Sequence, residues 1–286
     1  MDQPTVFWCG QYLPRDQAKM DVEDRGVLFG DGIYEVLRYY RGLPLAMGQH
    51  IARLRGSLEM IQLPATADVE RIDAISDEVV RRNGLADAKV YWQVTRGNAG
   101  PRNHVIPAQV QPTLLVMASP AAPLEQLGSL QAIKAVLAPD IRWGMCCAKT
   151  LMLLPAVLAV TQARRQGADE AILHREGTVT EGAATNVLIV RRGELWTHPA
   201  NHLILKGVTL ALVLEQARAL GIPVVERPFS VQELLSADEV MVTGTTTHIR
   251  AVTHVDGKPI AGGNPGPVTT RLLGALIRSI ESACRR

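Results

Sequence analysis

The stretch Asp140-Ile141-Arg142-Trp143-Gly144-Met145-Cys146-Cys147-Ala148-Lys149 runs directly into Thr150-Leu151-Met152-Leu153-Leu154-Pro155. It sets a lysine among small and apolar neighbours, in a chain with six lysines against twenty-four arginines. An ammonium group that loses its water without compensation is costly. A lysine so placed is paired with a counter-ion, neutralised, or used as an amine nucleophile. The rest of the chain has to choose among these.

Working outward, the apolar run from Leu151 to Val160 is ten residues long and contains Pro155. A membrane span needs roughly 18 apolar residues, so this run is a core segment, helical to about Arg165. Upstream, the Pro- and small-residue-containing segment 119–128, "SPAAPLEQLG", separates two patterned regions. It divides the chain into a small N-terminal domain, 1–118, a linker, 119–128, and a larger C-terminal domain, 129–286, which carries Lys149. Alternating residues predict strands in "TVFWCGQYLP" and in "IYEVLRYYRGLPLA", the latter turning at Arg41-Gly42, and in "KVYWQVTRG" and "PTLLVMASP". "GQHIARLRGSLEMIQL" and "DVERIDAISDEVVRRNG" have helical spacing. Beyond the lysine, strands are predicted in residues 170–198, 223–229, 239–245 and 251–260. Helices are predicted from Gly207 and at the C-terminus. Strands and helices mix without a strict βαβ rhythm, which predicts an α+β (mixed α/β) architecture.

Composition narrows the function. Hydrophobic residues make up 47% and charged residues 20%, the balance of a globular enzyme-sized chain. The net charge is +2 with basic residues scattered, so there is no footprint for nucleic acid or an anionic membrane. The partners expected are small molecules. Four cysteines, two of them adjacent, form no disulfide or zinc pattern, and the start of the chain has no signal-peptide pattern. A cytoplasmic location is expected. Phosphate-loop, dinucleotide, nucleophile-elbow and zincin motifs are absent. His198 and His202 flank Pro199, which spoils the helical face a metal pair would use. No metal is expected.

If Lys149 is a nucleophile, a buried aldehyde is its natural partner. Pyridoxal 5'-phosphate makes three demands: a Schiff-base lysine, an acid at the pyridine nitrogen, and donors for the phosphate. Glu181, in "TVTEGAATN", ends a strand and enters a small-residue loop, where a flat ring can approach the backbone. The alternative is a solvated loop glutamate. In "LKGVTLALVL", Gly207, Val208 and Thr209 stand at a helix start, where free N–H groups and the dipole favour an anion. Thr245 in "VTGTTTH" and Arg53 on a helix are further phosphate candidates. Their alternatives are an ordinary cap, a polar turn and a solvated charge.

The segments "EDRGVLFGDGIYEV", "HIARL", "QVTRG", "PRNH", "DIRW", "EAILH", "TVTEG", "THPAN", "ILKGVT" and "VTGTT" occur in order along nearly the whole chain. In these the chain resembles the fold-type-IV pyridoxal phosphate enzymes: D-amino-acid and branched-chain aminotransferases and aminodeoxychorismate lyases. It is most similar to the D-amino-acid branch. The resemblance implies transamination between D-amino acids and 2-oxo acids by a two-domain homodimer. Lys149 would form the Schiff base and Glu181 pair with the pyridine nitrogen. Arg53, Val208, Thr209, Gly244 and Thr245 would hold the phosphate, and Leu205 would pack on the ring. Tyr34, Arg102 and His104 would receive the substrate carboxylate, the last two from the neighbouring subunit. A branched-chain L-aminotransferase, an amine transaminase and a lyase remain alternatives. Four positions depart from the family's habit: Met152 for asparagine, Pro155 for glycine, Leu210 for arginine, and Arg38 for lysine.

Overall fold

A computed structural model describes residues 3–285, and these form two compact units. The first comprises residues 3–123 together with Ala148–Met152; the second comprises Leu124–Cys147 and Leu153–Arg285.

In the first unit, strands β1 (Thr5–Trp8), β2 (Gln11–Pro14), β3 (Gly32–Tyr40), β4 (Leu43–Pro44), β5 (Ala88–Thr95) and β6 (Thr113–Pro120) form an antiparallel sheet. Its order is β2-β1-β6-β5-β3-β4. The turn at Arg41-Gly42 is where the sequence predicts it. Both residues have positive φ, 51° and 79°, as a two-residue hairpin with right-handed strand twist requires. Helices α1 (Arg25–Phe29), α2 (Met47–Met60), α3 (Ala67–Glu70) and α4 (Ile72–Arg82) complete the unit. The segment predicted as one helix is broken at Arg71 into α3 and α4. Leu54 and Leu58 of α2, and Ile72, Ile75 and Val79 of α4, pack with Leu37, Val90 and Trp92 in one apolar core.

In the second unit, β7 (Gln131–Pro139), β8 (Glu170–Arg175), β9 (Thr178–Gly182), β10 (Asn186–Arg191), β11 (Glu194–Thr197), β12 (Val224–Glu226), β13 (Phe229–Ser230), β14 (Glu239–Gly244), β15 (His248–Val255) and β16 (Lys258–Pro259) form a ten-stranded mixed sheet. The order is β12-β11-β10-β14-β15-β7-β8-β9-β13, with β16 on β15. Helix α5 (Leu154–Arg165) makes the crossover between parallel β7 and β8. Pro155 sits in its first turn, where a missing N–H costs nothing. Helices α6 (Val208–Ala219), α7 (Val231–Leu235) and α8 (Pro267–Ala283) follow. The short α7 escapes the periodicity reading, although Ser230 and Glu233 form a capping box at its start.

The fold is mixed α and β, as the sequence predicts. The lysine segment differs from the expected division of the chain. Leu151 N–H donates to Gly32 O (3.0 Å), and Ile33 bridges Thr150, so the backbone around Lys149 is an extension of the first unit's sheet. A boundary drawn on composition cannot detect a five-residue return across it.

Candidate active site

In the first unit, β3 and α2 present the lysine with its surroundings. Tyr34 N–H donates to Lys149 O (2.9 Å), and Lys149 N–H donates to Ser57 Oγ on α2 (3.2 Å). Lys149 is half-buried, and its Nζ lies 4.1 Å from the centre of the Tyr34 ring, within cation–π range. The Tyr34 ring stacks on Tyr91 at 5.9 Å. Backbone and ring therefore limit where the amine can swing.

Below this pair lies a charged group that motif reading misses. Glu35 is fully buried. It accepts from Arg53 Nε (2.6 Å) and Nη2 (2.8 Å) and faces His50 Nδ1 at 2.9 Å. Burial alone would raise the Glu35 carboxyl, but the hydrogen bonds and charges of Arg53 and His50 reverse that and hold it at about 2. Burial pushes His50 below its usual value against the opposing pull of Glu35, and the positive charges of Arg53 and Lys149 add to the depression. Arg53 is thus fixed by a bidentate carboxylate rather than solvated. Strand alternation carries a signal for Glu35: it shares the buried face of β3 with Ile33 and Leu37, where a carboxylate needs a reason to be.

Arg102 and His104 lie exposed in the loop between β5 and β6. Arg102 Cζ is 4.9 Å from the centre of the Phe29 ring, and the His104 ring is 5.3 Å from it. The structure thus brings Tyr34 to Lys149, and Arg102 to His104 around one aromatic ring. Arg38, one of the departures, donates from Nη2 to Ala122 O (2.5 Å) and lies over Tyr40.

In the second unit, Glu181 is buried at the end of β9. It accepts from Arg142 Nη1 (2.5 Å), Asn186 Nδ2 (2.9 Å) and Leu205 N–H (3.0 Å to Oε2). Asn186 also donates to Leu205 O at 2.9 Å, tying β10 to the segment before α6. Arg142 donates from Nε to Asp140 Oδ1 (2.8 Å) and from Nη2 to Oδ2 (2.9 Å). Burial opposes ionisation of Asp140, yet Arg142 and Thr180 hold its carboxyl down at about 2. Asp140 in turn strengthens the cation at Arg142. A relay Asp140–Arg142–Glu181 therefore stabilises negative charge on a buried carboxylate. Arg142 and Asn186 stand within the quoted segments "DIRW" and "TVTEGAATN" but receive no role from the sequence, because their shared partner Glu181 is met only through space, 39 and 5 residues away.

Leu205 is half-buried, and Val208 and Thr209 are buried at the start of α6. The N-cap of this helix is Gly207, and no side chain caps it. Its first N–H groups have no intrahelical acceptor, which suits an anion. Gly207 is required by a close approach, because a Cβ there would collide with Asn186 Oδ1. Gly244 and Thr245 are half-buried in the turn from β14 to β15. Leu210 is buried on α6, and Met152 is exposed beside Gly30.

Each unit taken by itself carries groups of the chemistry pyridoxal phosphate needs: the first a half-buried primary amine, the second a buried carboxylate backed by a cation and an uncapped helix start with a threonine in its first turn. His198 Nδ1 lies 2.9 Å from Pro199 O, and among the described residues no cluster of three or more His, Cys, Asp or Glu is placed to hold an ion. No helix among the described residues is long and apolar enough to cross a membrane.

The family described as Amino-transferase class IV matches residues 32–255. D-alanine aminotransferase of Listeria innocua is 41% identical over 273 residues, covering 95% of this chain and 94% of the relative. The branched-chain aminotransferase of Thermoproteus uzoniensis, solved with norvaline, superposes with a TM-score of 0.89 at 27% identity, over 99% of this chain and 96% of that one. The branched-chain amino acid aminotransferase of Escherichia coli gives a TM-score of 0.84 at 27% identity, over 94% and 92%.

Proposed function

Because the chain belongs to the class IV aminotransferase family, whose cofactor is pyridoxal 5'-phosphate, we propose that it transfers an amino group between a D-amino acid and a 2-oxo acid. The observation that carries this reading is the full-length similarity to D-alanine aminotransferase, higher than that to the branched-chain enzymes.

When bound, the cofactor supplies an aldehyde that takes up the amino group and a ring that accepts the charge left at Cα. Lys149 Nζ is the amine that anchors the cofactor and moves the proton at substrate Cα. Its short leash, from Tyr34 N–H and Ser57 Oγ to the ring of Tyr34, supports a single direction of approach. Glu181 holds the proton on the pyridine nitrogen; the donors from Arg142, Asn186 and Leu205 support a permanent anion there. Leu205 packs against the ring. The N–H groups of Val208 and Thr209 bind the phosphate at the α6 start, with Gly244 and Thr245 and with Arg53 oriented by Glu35. Tyr34, Arg102 and His104 take the substrate carboxylate, for which the planar arginine fork is suited.

The active species is a homodimer, which would cover the exposed Leu154, Val157 and Leu158 of α5. A cytoplasmic enzyme accords with four cysteines that no disulfide joins. The second reading, an L-specific branched-chain enzyme, draws on the structural neighbours. Assay of purified protein with paired D- and L-alanine, glutamate and leucine against 2-oxoglutarate tests both. Turnover of the D-series alone is the expected result, and turnover of L-leucine alone would replace the first reading with the second.

A further inference from the structure

The stretch Asp24-Arg25 has no place in the chemistry above, yet it gathers more long-range bonds than its position at a helix start demands. Asp24 Oδ1 accepts from Gly26 N–H (2.7 Å), as a cap for α1. Its other oxygen, Oδ2, accepts from Thr95 Oγ1 (2.8 Å) and Thr113 Oγ1 (2.9 Å). Those threonines are the last residue of β5 and the first of β6, so one carboxylate cinches both stems of the intervening loop. Arg25 N–H donates to Gly97 O (3.0 Å), and Asp24 bridges Asn98. Gly97, at φ 81°, stands where a Cβ would strike the carbonyl of Gln111 on the returning limb.

The Arg25 side chain reaches the far end of the same loop. It is buried, and its Nη1 donates to Asn103 O (2.5 Å) and Val105 O (3.4 Å), while Nη2 donates to His104 O (3.5 Å). Three consecutive carbonyls thus converge on one guanidinium. Arg25 Nε donates to Asp31 Oδ2 (2.8 Å), which also accepts from Arg96 Nε (2.8 Å). Arg96 is anchored in turn on Ile61 O (2.7 Å) and Gln62 O (2.9 Å). The Arg25 Cζ lies 4.7 Å from the Phe29 ring centre, the ring that also receives Arg102 and His104. Only a planar fork with several fixed donors can meet Asp31 and the loop carbonyls together; a lysine offers one point charge.

We propose that Asp24 and Arg25 are positioning residues that shape the β5–β6 loop, so that Arg102 and His104 are held in register for the substrate carboxylate. The proposal rests on the reading that Arg102 and His104 bind that carboxylate. Arg25 itself touches backbone, not substrate. Its loss should act on substrate affinity and leave the cofactor in place.

The test uses the cofactor-loaded enzyme and its R25M, R25K, R102L and R25M/R102L variants. Hydrogen–deuterium exchange reads the loop directly: amides of residues 98–106 should exchange at least about tenfold faster in R25M, the equivalent of one charge-assisted bond, with α6 unchanged. R25K should fall between. For D-alanine, R25M should lose about tenfold in kcat/KM, mainly through KM, and add less than about twofold to the loss in R102L. The visible band of bound cofactor should be retained. Wild-type exchange in the loop of R25M overturns the proposal, as do additive losses in the double variant. If R25M does not accumulate, wild-type loop exchange in R25K overturns it equally. Wild-type D-alanine kinetics in R102L, with faster loop exchange in R25M, would instead remove the carboxylate reading and leave the shaping role of Arg25 standing.

Discussion

Tyr34 holds Lys149 twice: its N–H donates to the lysine carbonyl oxygen at 2.9 Å, and its ring centre lies 4.1 Å from Nζ. Main chain and side chain of one strand residue thus act on the backbone and on the side-chain end of the lysine. With Tyr34 also proposed for the carboxylate group, the proposed amine and substrate grip share one support.

Lys149→Ala removes the proposed anchoring amine and proton carrier together. Borohydride reduction of the wild-type protein should tether cofactor at Lys149, seen by peptide mass. The variant should bind cofactor without tethering and lose turnover by about 10⁴-fold or more, the loss of both nucleophile and base. Tethering at another of the six lysines would remove Lys149 from the assignment.

Arg142→Met strips Glu181 of its cation while leaving the carboxylate buried. The two side chains are 14% and 5% exposed, so water compensates little. Breaking one partner of such a pair costs about 3–5 kcal/mol. Urea unfolding should show a loss of stability of that size, read as a lower midpoint at unchanged slope, and kcat should fall because the proposed pyridine partner is no longer a fixed anion.

Gly207→Ala drives a methyl group into Asn186 Oδ1, and Asn186 holds both Glu181 and Leu205 O. Overpacking of this kind costs about 1–3 kcal/mol. Equilibrium dialysis should show weaker cofactor binding, since the helix start and the Glu181 contact move together. Unchanged affinity would separate α6 from the phosphate.

Acid stability carries the mark of Glu35. Its folded-state carboxyl lies near 2 against an ordinary 4.5, so folding favours the ionised form. The associated stability is complete above the unfolded value and is lost as pH falls through the folded one. His50, depressed by burial, adds a loss in the same direction as it is forced to charge. Thermal melts of wild type should therefore fall steeply from about pH 5 toward about pH 2, at about 1.4 kcal/mol for each tenfold difference in proton affinity between the folded and unfolded chain. Glu35→Gln should be less stable at neutral pH with a flatter acid limb; parallel curves would contradict the assignment.

Arg102→Leu should raise KM for D-amino acids and 2-oxo acids alike, lowering kcat/KM by about tenfold to a hundredfold, the worth of a charge-assisted bond. Amines that lack a carboxylate should change much less. Steady-state kinetics with D-alanine and a simple amine, side by side, read the difference.

The amino-acid order by itself determined what is local. Alternation placed β3 and β5, the Arg41-Gly42 turn follows from backbone preferences of two residues, and helical spacing located α2 and α8. It also made Lys149 conspicuous, because a lone lysine among apolar neighbours is costly whatever the fold. The small pieces α1 and α7 were illegible because five residues hold less than two turns of period. The break at Arg71 was likewise hidden in a continuous helical pattern. What tertiary structure alone decided is which charges meet: Arg142 with Glu181 across 39 residues, Arg53 with Glu35 across 18, Asp24 with Thr113 across 89. A buried ion finds its partner through space, and its worth depends on the water excluded around it. Strand order and loop return set both, and neither leaves a periodic trace along the chain.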